Sequence, residues 1–309
     1  REMNNAGDPN TPVDLNWFCT NMTSKYTPIT AYLYPAIVPQ WTALKKKTEK
    51  NYNENGVIQT TTTTDYEYDS SLKLLIKEST INSNGNMNYI AYTYMNELPL
   101  GAIKSKAQEL NFLDGLVSVE MGTNNTSNKK INEYSLFNNV PLISVEKTNT
   151  GFGNTLESRL VYHNYDSYGN PLYISKDSSN KTFYLWSYQG QYPIAEIKTT
   201  GYTFAELEAI VNSVFSVPSI NALSTLAVPN EAKLKDGSLQ KVLSKALVTT
   251  YTFKPFFGMT SVTNPSGITT YYDYDNRGRL KRTYIKEKDS NGIDVEKNIQ
   301  WYDYHYQNQ

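Results

Sequence analysis

From residue 32 to residue 97 the chain alternates polar with apolar or β-branched residues, in short runs that stop at turn signals. Alternation of period two predicts half-buried strands. Asn55-Gly56 separates the runs 41–52 and 57–68, and Asn84-Gly85 separates 72–82 from 87–95. Asn-Gly between such runs predicts a two-residue hairpin turn with φ > 0 at both residues. Further strands are expected at 116–121, 130–137, 142–147, 182–188 and 247–254, with one short helix at 103–110. At Thr203 the period becomes helical. Thr203-Phe204-Ala205-Glu206 is a capping-box pattern, and Phe204, Leu207, Ile210, Val211 and Val214 share one helical face. Pro218 and Ser219 open a second helix carrying Ile220, Leu223 and Leu226. A third, at 238–247, turns Leu239, Val242, Leu243 and Ala246 inward. Helices this short are marginal alone, so they are expected to dock on the sheet as a cap.

A finer pattern recurs within the strands. Residues 267–284 read GITTYYDYDNRGRLKRTY, and residues 160–176 read LVYHNYDSYGNPLYISK. Both run Tyr, Asp, two residues, Gly, then Arg or Asn. A degenerate copy at 65–76, DYEYDSSLKLLI, keeps the tyrosines and the aspartate without the glycine. Strand geometry puts Tyr272 and Tyr274 on one face and Asp273 and Asp275 on the other. Such tyrosines pair across strands. Asp275 is expected to accept backbone N–H bonds in the turn, Gly278 to take φ > 0, and Arg279 to reach back to the aspartate. Tyr165, Asp166 and Gly169 hold the matching positions of the other copy.

Composition narrows the partners. The 309 residues include 26 tyrosines, which pack a ring while keeping a polar tip wet. Net charge is −1, from 29 basic and 30 acidic residues, and no basic stripe stands out, so nucleic acid is not an expected partner. Lys45-Lys46-Lys47 reads as a solvated strand face. One cysteine, Cys19, allows no intramolecular disulfide framework. No apolar run reaches about 18 residues, so no membrane span is expected. No signal peptide is visible, and the opening Arg1 suggests that a preceding part of the chain, with any targeting segment, has been removed. Four regions are expected: a proline-containing extended arm at 1–29, a hairpin region at 30–202, a helical insertion at 203–246 and C-terminal hairpins at 247–309. Residues 30–309 would form one continuous domain.

Candidate chemistry is sparse. His163 and His305 lie in tyrosine-rich strands, where a cross-strand hydrogen bond fits better than a general base or a zinc ligand. Asp273 with Asp275, and Glu67 with Asp69, are spaced to share a strand face, as a glycosidase pair would, but they flank hairpin turns. A calcium site on Asp65, Glu67 and Asp69 falls short of the six oxygens calcium takes. The run 289–294, DSNGID, has the order of an ordinary hairpin turn, and no nucleophile elbow, P-loop or HExxH occurs. No catalytic residue, metal or cofactor is expected.

The run Tyr274-Asp275-Asn276-Arg277-Gly278-Arg279-Leu280, preceded by Asn264-Pro265-Ser266-Gly267, resembles the YD-repeat, or rearrangement-hotspot (Rhs), family. Tyr165-Asp166-Ser167-Tyr168-Gly169-Asn170 is its second copy. The runs 248–255, 258–261, 186–188 and 192–195 are similar to Bacteroidetes members, and the resemblance covers residues 156–309. It implies a secreted or cell-surface protein of successive β-hairpins. In large members the hairpin strip spirals into a shell around a C-terminal toxin. With two good repeats interrupted by helices, a closed shell is not expected of this stretch, nor a toxin domain within it. The expected fold is mainly β, with consecutive antiparallel β-hairpins forming a large twisted, curved sheet and a small inserted helical cap. The expected function is a non-enzymatic scaffold or binding protein. A carbohydrate-binding module using Trp41, Trp186, Trp301, Tyr272 and Tyr274 is the alternative, and a glycan-degrading enzyme the third. Expected partners are glycans, a surface protein or a missing N-terminal part of the same chain, and the oligomeric state stays open.

Overall fold

The computed structural model describes residues 41–81, 85–123, 126–149, 155–176 and 180–304. The chain divides into two units, Arg1–Ala43 and Leu44–Gln309. The expected arm at 1–29, Cys19, the Asn84 turn and His305 lie outside the described residues.

The second unit is one sheet of 16 strands, all antiparallel and paired in sequence order. Its first half is β1 (Lys46–Tyr52), β2 (Ile58–Tyr68), β3 (Leu75–Ile81), β4 (Met87–Tyr94), β5 (Leu116–Gly122), β6 (Ser127–Phe137), β7 (Val140–Asn149) and β8 (Leu156–Tyr165). Its second half is β9 (Pro171–Ser175), β10 (Lys181–Ser187), β11 (Tyr192–Thr199), β12 (Ala246–Lys254), β13 (Gly258–Thr263), β14 (Thr269–Tyr274), β15 (Leu280–Lys288) and β16 (Asp294–Trp301). Consecutive hairpins give this order directly, because each short turn returns the chain beside the strand it has just left.

One turn chemistry recurs along the sheet. At Asn53, Asp166, Asn264, Asp275 and Asp289 the side-chain oxygen accepts the backbone N–H groups two and four residues on. In each turn the glycine three residues on donates its N–H back to the carbonyl of the opening residue. That glycine takes positive φ: 74° at Gly56, 83° at Gly169 and 77° at Gly278. This corrects the expectation at Asn55-Gly56. Asn55 is not in the left-handed region; Asn53 organises a longer turn in which the glycine alone carries positive φ. In the degenerate copy Asp69 accepts from Ser71 and Leu72, and Lys73 at φ 61° stands in the glycine's place.

A second regularity was not legible as a repeat. Near the end of each even strand from β2 to β14 stands an aromatic residue: Tyr68, Tyr94, Tyr134, Tyr165, Trp186, Phe253 and Tyr274. Each lies at a one-residue shift of register against the next strand. Most reach back to a backbone carbonyl on the preceding strand. Tyr94 donates to Leu75 O at 2.8 Å, Tyr134 to Leu116 O at 3.0 Å, Tyr165 to Ile143 O at 2.6 Å and Tyr274 to Met259 O at 2.8 Å. Trp186 substitutes its indole N–H, which donates to Pro171 O at 2.9 Å. The bulge re-aims the side chain, and the bond satisfies both its polar tip and the carbonyl. The structural period is therefore two strands.

The helices are α1 (Ala102–Glu109), α2 (Phe204–Phe215), α3 (Ile220–Thr225), α4 (Glu231–Lys235) and α5 (Ser238–Val242). Thr203 caps α2 in a reciprocal box with Glu206, and Ser219 caps α3. The third expected helix is shorter than its pattern, and α4 is an addition. One expected inward position is corrected: Val242 ends α5 and is exposed. Leu226, expected on the second helix, follows α3 as its C-cap and is exposed. Helices α3, α4 and α5 pack across strands β10, β12 and β13. Between helices and sheet, Phe183, Leu185, Ile194, Ile197 and Val248 of the strands and Leu207, Val211, Leu223 and Leu239 of the helices are fully buried. Alternation along β12 buries Val248, Thr250 and Thr252 on the covered face.

Candidate functional site

The last repeat hairpin builds the most feature-rich recess. Asp275 Oδ1 accepts the N–H groups of Arg277 and Arg279, at 2.8 and 2.9 Å, and Oδ2 accepts Arg279 Nε at 2.7 Å. The Arg279 backbone N–H, then its guanidinium, hold the Asp275 carboxyl below the usual range. The same guanidinium lies 4.3 Å from the centre of the Tyr304 ring, and Tyr304 donates to Leu280 O at 2.9 Å. The Lys281 ammonium sits 5.3 Å from the Trp301 ring centre. Together with Tyr302 and Asp303 these residues line a cleft of about 180 Å³. Trp301 is 55% exposed. The cleft thus sets a flat aromatic face beside charged groups of both signs, an arrangement suited to binding a polar ring.

Other candidates stand elsewhere. Tyr274 is half-buried and committed to Met259 O; Tyr272 is half-buried opposite Thr283. Trp186 packs against the apolar core with its N–H occupied, so it is not a free platform. Five strands separate β10 from β16, roughly 29 Å at the usual strand spacing, so Trp186 and Trp301 do not form one strip. Trp41 is 51% exposed and belongs to the first unit.

The paired carboxylates do not converge either. Asp273 is held by Arg282 at 2.7 Å, while Asp275 lies past the end of β14 in the turn and is held by Arg279. The expected shared face is lost because the register shifts between Asp273 and Tyr274. Glu67 pairs with Lys77 at 3.7 Å, Asp65 with Lys46 at 3.2 Å, and Asp69 caps its turn. Among the described residues no group of three His, Cys, Asp or Glu side chains is arranged to hold a metal. His163 Nε2 lies 2.8 Å from Ser175 Oγ across the strands and stacks on Tyr173 at 4.2 Å. Burial, then nearby Lys181, pushes its pKa down. Carboxylates elsewhere receive tyrosine hydroxyls: Tyr92 donates to Glu78 at 2.8 Å, and burial with that carboxylate pushes Tyr92 up to about 12.

The fold defines an antiparallel hairpin-strip β protein. No family model matches the chain, and no curated protein matches it. Among solved structures, the TcdB2-TccC3 complex is 12% identical with a TM-score of 0.32, over 78% of this chain and 13% of that one. The Tc holotoxin pore of Photorhabdus luminescens is 12% identical with a TM-score of 0.32, over 81% of this chain and 13% of that one. A porin-like protein from Bacteroides uniformis is 9% identical with a TM-score of 0.17, over 81% and 87% of the two chains. The likeness to the Tc toxins is weak and distant, and this chain spans only 13% of their length.

Proposed function

We propose that this chain is a non-enzymatic scaffold of the YD-repeat type, secreted or carried on the cell surface, that binds a partner. One observation carries the reading: the carboxylates with catalytic spacing are each committed to an arginine, a lysine or a turn. Hydrolysis by a carboxylate pair needs two such groups about 5 to 9.5 Å apart across a cleft, with free lone pairs. The repeated motif instead spends its aspartate on turn geometry and its tyrosine on strand-to-strand bonding. Incubating the chain with a broad glycan panel should release no new reducing ends. Turnover that disappears in Asp273→Asn or Asp275→Asn would overturn the reading.

The Trp301 cleft favours glycan binding as the second reading. Saturable binding to one glycan class should be lost in Trp301→Ala while the melting temperature stays unchanged. Binding that survives in Trp301→Ala would remove the cleft from the argument.

A further inference from the structure

A larger cleft, of about 470 Å³, lies where β10, β11 and β12 meet the approach to α2, at the opposite end of the strands from Trp301. Lys181, Lys198 and Lys245 line it together with Thr200 and Ser244. Pairing sets Thr182, Lys198 and Leu247 side by side on one face, and Lys181, Thr199 and Ala246 on the other. The lysines therefore reach the cleft from both faces of the strand ends and from the loop before β12.

Their placement is built. Thr199 Oγ1 donates to Lys245 O at 2.8 Å and accepts from Gly201 N at 2.9 Å. Gly201 packs on the Lys245 stem: a Cβ there would lie 3.1 Å from Lys245 Cβ and 3.2 Å from its Cδ. Lys181 donates to Tyr202 O at 3.2 Å, and Lys198 is held by Glu196 at 3.1 Å. Glu206, at the mouth of α2, is spent on Thr203 N and Oγ1, both at 2.8 Å. Among the described residues Lys245 has no ion pair. The Thr203 N–H and hydroxyl, and then the charges of Lys245 and Lys181, hold the Glu206 carboxyl below its usual range; three lysines against Glu196 and Glu206 leave a net positive charge, which a bound anion offsets. Leu247, 63% exposed beside Lys198, adds an apolar wall.

We propose that this cleft binds a sulfate or carboxylate group carried by a small ligand whose apolar side rests on Leu247. The site is separate from the Trp301 cleft and stands whether or not that cleft binds glycans. Two sources share the chemistry, a free inorganic oxyanion and an acidic saccharide. The test is calorimetric titration of the full chain, at matched ionic strength, with sodium sulfate and with a sulfated disaccharide. The disaccharide should bind saturably, and Lys245→Gln should weaken it about tenfold, the loss of one charge-assisted bond. Gly201→Ala should weaken it severalfold by displacing the Lys245 stem without changing charge, while Lys50→Gln, on the distant β1, should leave it unchanged. Sulfate binding with the same dependence on Lys245 supports the site with the oxyanion alone sufficient. Binding of the disaccharide only supports it with the carrier contributing. No binding in either arm, or binding indifferent to both Lys245→Gln and Gly201→Ala, overturns it.

Discussion

The strands under helices α2 to α5 and the strands outside them share one sheet but are held by different forces. Between the helices and the strands, Phe183, Leu185, Ile197, Leu207 and Leu223 form a fully buried apolar core. Two threonine hydroxyls bond across to the helices there: Thr263 Oγ1 donates to Leu234 O at 3.0 Å, and Thr269 Oγ1 donates to Lys235 O at 3.0 Å. These hydroxyls satisfy the last carbonyls of α4, which a five-residue helix cannot satisfy itself. In β1 to β4 no strand residue is fully buried; all are exposed or half-exposed. Threonine pairs such as Thr64 with Thr80 at 3.0 Å, ion pairs such as Lys46 with Asp65, and tyrosine bonds to neighbouring carbonyls hold that part. Exposed ion pairs contribute roughly 0 to 1 kcal/mol each, and an ordinary hydrogen bond about 1 kcal/mol. A fully buried leucine or phenylalanine contributes several times more. A hairpin strip can thus extend on weak, repeated contacts provided one section is anchored by a true core.

Substitutions can break this contrast, and the covered section should respond most. Phe183→Ala should cost about 3 to 5 kcal/mol, read by denaturant unfolding, because the ring is fully buried and stacks on Tyr173 at 4.5 Å. Ile81→Ala on the open section should change stability by less than about 0.5 kcal/mol, since that side chain is exposed. A comparable loss at Ile81 would erase the difference between the sections.

Gly190→Ala comes next, at about 2 kcal/mol or more. Its Cβ would fall 2.5 Å from the Tyr168 ring, and its φ of 73° strains any L side chain. The double variant with Tyr168→Ala should recover the steric part and leave the backbone part, which separates the two causes. Tyr165→Phe should cost about 1 kcal/mol by removing the hydroxyl bond to Ile143 O while keeping the ring against Phe137 at 4.8 Å. Tyr94→Phe, in the open section, should cost a similar amount, because the same bond recurs there. Unequal losses would show that the bond depends on the core.

The smallest effect is a pH dependence at His163. Its folded pKa is pushed below the ordinary value near 6.5, so the unfolded chain binds the proton more readily. Stability from the neutral ring is present above about pH 6.5 and is lost as pH falls through the folded pKa. An NMR titration should place His163 below 6.5, and His163→Gln should flatten the stability profile across that window. A midpoint above 6.5 would reverse the sign.

The sheet was legible because its turns are written in local residues: an Asp or Asn to accept, and a glycine to take positive φ. The aromatic repeat was not. Its members are Tyr, Trp or Phe, and the insertions between strands, from one turn to the block between β11 and β12, destroy any fixed spacing. Helix α4 was invisible for a related reason: in five residues only Leu234 is buried, which sets no period. In the candidate cleft, Asp275 and Arg279 could be paired from their spacing. Setting Arg279 on Tyr304 and Lys281 beside Trp301 takes the return of β16 alongside β15, whose register shifts between Thr283 and Tyr284. Trp186 and Trp301 look alike in sequence. The carbonyl of Pro171 on the neighbouring strand and the core packed against the ring distinguish the committed indole from the exposed one.

The most direct test is native-state hydrogen exchange across all strands. The amides of β10 to β12 should exchange only through global unfolding, while those of β1 to β4 should open with a distinctly lower free energy. Uniform protection from β1 to β12 would contradict the claim that the helix-covered section anchors the strip.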